Sequence, residues 1–119
     1  MPAIGFVLDA VAVLVFAAVG RRNHAESDAV TGVLVTAWPF LAGLVASWAG
    51  FVAVHRRAPL TVVEALPIWV PMVAIGMVLR QLTGKGTAPS FVVVATLVLG
   101  AFLLGWRALV ATVRRRRPA

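Results

Sequence analysis

The chain has 119 residues, of which 61% are hydrophobic and 13% charged, with a mean hydropathy of +0.98. That is too little polar surface to cover a water-soluble globule of this size, and too much apolar mass for a disordered chain. The lack of cysteine excludes a disulfide framework, a cysteine zinc site and an iron–sulfur cluster, and the net charge of +7 sits in short clusters between apolar runs rather than on one nucleic-acid-binding face.

A helix needs roughly 20 apolar residues to cross a hydrocarbon core about 30 Å thick. Four stretches approach that length. The first, residues 4–20, carries one charge, Asp9. No Lys or Arg precedes its apolar run and Asp9 interrupts it, so it is expected to be a retained helix rather than a cleaved signal peptide. Arg21-Arg22-Asn23-His24-Ala25-Glu26 follows as a polar loop. The second stretch, residues 32–54, has no charge. The third, residues 62–79, is bounded by Glu64 and Arg80, and the fourth, residues 91–113, holds Arg107. Residues 114–119 form a basic tail.

Continuous apolar runs such as Val33-Leu34-Val35 exclude the alternation of a membrane β-barrel. Short connections make consecutive helices antiparallel neighbours. The expected fold is therefore all-α: one integral membrane bundle of four transmembrane helices over residues 1–119. Arg56, Arg57 and Arg114 to Arg117 share the side of the two termini, while Arg21, Arg22, Arg80 and Lys85 share the other. The positive-inside rule then places both termini in the cytoplasm of a cell whose inner (plasma) membrane holds the protein. The arginine clusters would meet anionic headgroups of the bilayer.

Asp9 is the leading candidate for chemistry, because an ionised carboxylate within lipid must be paired or hydrated. Arg107 lies at comparable depth and Glu64 near the same surface, so these three form a candidate ion pair or coupling site. The first reading is a structural pair; the second is proton or cation handling. Arg21, Arg22 and His24 are a candidate polar contact in the first loop. On the second span Gly32, Thr36, Gly43, Ser47 and Gly50 form a stripe of small residues that would let another helix approach closely, and Ala101 and Gly105 repeat the device on the fourth. The stripes serve either packing within the bundle or a dimer interface. Pro39, Pro67 and Pro71 are expected to kink the second and third spans, each freeing a carbonyl one turn earlier.

His24 and His55 fall at opposite surfaces, about 30 Å apart, so they cannot share a haem or metal. No nucleophilic triad shares one depth. Gly84-Lys85-Gly86-Thr87 lacks the upstream glycine loop of a phosphate site and reads as a turn. Of the four tryptophans, Trp106 beside Arg107 is placed as an interfacial anchor. No cofactor, metal or nucleic acid is expected.

Asp9, the run from Phe16 to Gly20-Arg21-Arg22-Asn23-His24, and Ala37-Trp38-Pro39-Phe40-Leu41-Ala42-Gly43 together resemble the family of small bacterial and archaeal membrane proteins known as domain of unknown function 3054. The resemblance covers nearly the whole chain and implies a four-span topology; it supplies no activity, cofactor or catalytic residue. The expected function is a non-enzymatic interaction or accessory subunit, as a homo-oligomer or within a larger membrane complex. The alternative is a small oligomeric transporter or channel with Asp9 as its coupling acid.

Overall fold

The computed structural model describes residues 2–21, 29–84 and 86–116. They form four α-helices and one short 3-10 turn: α1 Pro2–Arg21, α2 Ala29–His55, η1 Val63–Ala65, α3 Leu66–Leu82 and α4 Pro89–Arg116. Prolines open three of these segments. Pro2 and Pro89 begin α1 and α4, and Pro67 stands in the first turn of α3, where the missing N–H removes no helical hydrogen bond. The helix α2 stops where Arg56 takes a left-handed conformation (φ 60°) and donates its N–H to the Val52 carbonyl at 2.8 Å. Pro59 follows and cannot resume the helix.

Each helix packs against its two neighbours in a closed ring, α1 on α2, α2 on α3, α3 on α4 and α4 back on α1, with no close backbone approach across a diagonal among the described residues. The molecule is elongated, 52 × 28 × 24 Å. Three stretches, Thr31–His55, Val63–Leu82 and Pro89–Arg116, are long and apolar enough to cross a membrane. The apolar part of α1, Ala3–Val19, is shorter; at 1.5 Å per residue it reaches about 26 Å. The first of the four expected spans, residues 4–20, is thus a helix shorter than the other three apolar stretches. Large apolar side chains such as Val11, Val45, Val70 and Leu97 face outward on every helix, as they would with lipid rather than water around them.

Inside the ring the core is layered. At one end Phe16, Phe40 and Phe91 meet with ring centroids 5.8 to 6.2 Å apart. Val13, Leu44, Met72 and Leu99 fill the middle, all fully buried. The other end is polar and centres on Asp9 and Arg107.

Glycines set the closest approaches. A Cβ on Gly43 would stand 2.6 Å from the Met72 carbonyl oxygen, so the α2 and α3 backbones touch there as only glycine permits. Gly76 of α3 receives the Phe40 ring, and Gly100 of α4 receives the Trp69 indole. That indole also donates to the Thr96 carbonyl at 3.0 Å.

The proline expectations divide. Pro39, which is buried, and Pro71 lie inside α2 and α3. Pro67 does not kink a helix: it sits where the 3-10 turn passes into α3, and the Leu66 N–H takes the Val63 carbonyl that Pro67 would have left bare. The tighter hydrogen-bond pattern of the 3-10 turn supplies the partner one residue earlier.

Candidate functional site

Asp9 lies about two turns into α1 and is fully buried, as is the side chain of Arg107 on α4. The two meet as a bidentate pair. Nη1 of Arg107 donates to Oδ1 at 2.9 Å and Nη2 donates to Oδ2 at 2.8 Å. Two indoles complete the carboxylate: Trp106 Nε1 donates to Oδ1 at 2.8 Å and Trp48 Nε1 to Oδ2 at 2.9 Å. A carboxylate offers about four lone-pair sites. All four are taken.

The guanidinium is equally complete. Its remaining donors reach backbone carbonyls, Nη1 to Leu103 at 2.9 Å, Nε to Pro59 at 3.0 Å and Nη2 to Pro59 at 2.8 Å. All five N–H groups of the planar fork are therefore satisfied. One cluster thus ties α1, α2, α4 and the α2–α3 connection together.

Local sequence explains the convergence. Gly5, Asp9, Ala12 and Phe16 share the buried face of α1. Gly5 lies one turn before Asp9, and a Cβ there would stand 2.6 Å from Leu60, 3.2 Å from Trp48 and 3.5 Å from Trp106. A side chain at residue 5 would push Leu60 aside and press on the Trp48 indole, while Trp106 stands at ordinary contact distance. Phe6 packs edge-on against Trp48 at 5.5 Å.

Glu64 is not part of this site, which corrects the grouping of three. It pairs with Arg57 and exchanges hydrogen bonds with Thr61, whose N–H donates to Oε1 at 3.2 Å while the Glu64 N–H donates to the threonine hydroxyl at 3.3 Å. Thr61-Val62-Val63-Glu64 is a capping box. Its reciprocal bonds hold the carboxylate at the mouth of the third helical segment, away from Asp9.

The small-residue stripe on α2 also divides. Gly32 is buried and Thr36 half-buried. Gly43 and Ser47 face inward, with the Ser47 hydroxyl donating to the Gly43 carbonyl at 2.8 Å. Gly50 meets nothing within 4 Å and lines an open groove with Ser47, Phe51, His55 and Pro67. On α4 the expected packing pair is likewise outside: Ala101 is exposed and Gly105 meets nothing within 4 Å. Both line a groove against Leu8, Val11 and Val15 of α1. A helix that is apolar all round does not advertise which of its small residues faces inward.

Of the polar-loop candidates, Arg21 ends α1, while Arg22 and His24 lie outside the described residues, as does Arg117. His55 stacks on Phe51 at 4.1 Å, one turn before it on α2. Trp106, expected as an interfacial anchor, is half-buried with its N–H on the carboxylate. Trp48 and Pro59 were missed. The available signal was that a buried indole needs an acceptor, and Asp9 is the one acid deep in an apolar run.

The fold and site together define a class: an all-α bundle of lipid-compatible helices fastened by one buried, fully hydrogen-bonded ion pair. The model of a family described as "Protein of unknown function (DUF3054)" matches residues 6–110, and the chain belongs to that family. The match spans Asp9, both indoles and Arg107. No curated protein and no solved structure matches the chain.

Proposed function

We propose that this protein is a four-span protein of the inner (plasma) membrane with both termini in the cytoplasm, and that it acts without catalysis, as an interaction or accessory subunit of a membrane assembly. The observation that carries this reading is the saturation of Asp9. A carboxylate that couples transport must release its proton to water during the cycle. Asp9 instead accepts four hydrogen bonds at zero exposure. Its charge is committed to holding helices together, which favours a rigid interaction module over a small transporter or channel.

The pass number is supported by the closed helix ring, which puts α1 beside α2 and α4 at the depth of Asp9. The orientation is supported by the position of Arg56, Arg57 and Arg114 to Arg116 at the end of the bundle where α1 begins. The open grooves at Gly50 and at Gly105 leave small-residue surface for a neighbouring helix in such an assembly.

The test is purification from native membranes in mild detergent, after crosslinking, with identification of what travels with the chain. A stoichiometric polypeptide partner is the expected result. A chain that travels alone, and that in vesicles carries a proton-coupled flux abolished by Asp9→Asn, would overturn the reading. A reporter fused after the C-terminal arginines should be active only in the cytoplasm.

A further inference from the structure

Between the start of α1 and the end of α2 runs a groove of about 570 Å³. Its walls are Ala3, Phe6 and Val7 from α1 and Trp48 and Val52 from α2, and Arg57 stands in its lining. From Trp48 the groove follows α2 towards its end at His55, about 10 Å at 1.5 Å per residue, which fits within one leaflet of a hydrocarbon core about 30 Å thick, and Arg57 and Ala58 of the connection close it. Apolar walls that fit within one leaflet, with Arg57 at their end, match the outline of the upper part of one phospholipid chain beneath its phosphate.

The cation is presented rather than consumed. Glu64 engages Nη1 of Arg57, and a guanidinium has five donors. The aromatic face of Phe51 lies 5.6 Å from its central carbon. Glu64 and Phe51 lie outside the groove's lining, so they hold the guanidinium at its rim while leaving donors for an anion. The adjacent Arg56 is exposed and makes no ion pair among the described residues. The two arginines together outweigh the one carboxylate, so the rim is net positive.

We infer that this groove is a binding site for one anionic phospholipid, with an acyl chain along Val7, Trp48 and Val52 and the phosphate on Arg57 and Arg56. A second copy of the chain is the poorer occupant. Two copies inserted the same way up and related by a two-fold axis through this groove would bring their Arg56 and Arg57 pairs face to face, where like charges repel. The groove between α1 and α4 has no cation in its lining, so it offers no such headgroup contact. The inference rests on the membrane reading above and names one partner for it. Because Trp48 forms a wall and also donates to Asp9, a bound lipid would brace the polar cluster from outside.

The experiment places the full chain in nanodiscs of phosphatidylcholine mixed with phosphatidylglycerol and counts, by native mass spectrometry, the lipids it retains on release. The wild type is expected to keep one phosphatidylglycerol in preference to phosphatidylcholine. Arg57→Gln should weaken that preference about fivefold, the increment typical of one surface arginine. Ala3→Trp and Val52→Trp, which fill the groove without changing its charge, should abolish it while circular dichroism shows unchanged helicity. Arg115→Gln, at the same end of the bundle but outside the groove's lining, should leave it intact. Equal retention of the two lipids by the wild type would overturn the inference. So would Trp variants that are folded and still select phosphatidylglycerol, because the arginines would then act only as diffuse surface charge. Neither outcome touches the membrane reading, which fails separately if an alkaline carbonate wash releases the chain from membranes.

Discussion

The contacts between α2 and α3 and those between α1 and α4 solve one problem by opposite chemistry. The first pair is joined by shape: Gly43 lies against the Met72 backbone and Phe40 fills the space over Gly76. The second is joined by charge, through Asp9 and Arg107 with their indole and carbonyl partners. In water either pair would also gain from removing apolar surface from solvent. In lipid that gain is absent between helices, so close van der Waals contact or polar bonding must supply the association. The consecutive helices α2 and α3 are joined by a short connection and manage with shape. The helices that close the ring, at opposite ends of the chain, add an ion pair.

The comparison can be broken first at the pair. Asp9→Asn or Arg107→Gln leaves an unpaired buried charge and should lower stability by about 3–5 kcal/mol. The double variant should recover part of the loss, because no lone charge then remains. Reversible unfolding in detergent micelles measures all three, and a silent single change would remove the ion pair from the account. Trp48→Phe and Trp106→Phe each delete one hydrogen bond to a charged group and should lower stability by about 1.5–3 kcal/mol in the same assay. Intermediate effects confined to Trp69→Phe would show that the carboxylate does not need its indoles.

The smallest effects test the shape side. Gly43→Ala forces a methyl against the Met72 carbonyl and should destabilise by about 1–3 kcal/mol. Gly50→Ala and Gly105→Ala point into open space and should stay within about 0.5 kcal/mol of wild type. If all three behaved alike, glycine contact would not distinguish inner from outer faces on α2 and α4.

Some of the site was legible early. Counting residues from the ends of the apolar runs puts Asp9 and Arg107 at one depth, and two opposite charges in lipid have few alternatives to each other. Glu64 shows the limit of depth counting. It lies near the same surface, but the local signal Thr61-x-x-Glu64 wins, since a capping box three residues wide forms before any distant partner is met. Trp48 and Trp106 escaped because an indole is equally at home in lipid, at the interface or as a buried donor.

What the amino-acid sequence determined by itself was the all-α class, the order of the helices and, to within a few residues, the place where each ends. Those properties follow from composition over a local window: apolar length, proline at helix starts, arginine at the ends. Only the tertiary structure decided which way each helix is turned about its own axis. That rotation selects Gly43 over Gly50, Gly100 over Gly105, and brings two indoles and the Pro59 carbonyl onto one ion pair. The physical reason is that lipid-facing and core-facing surfaces are both apolar, so periodicity carries little information about the inward face. Rotation is settled when side chains from distant segments interlock.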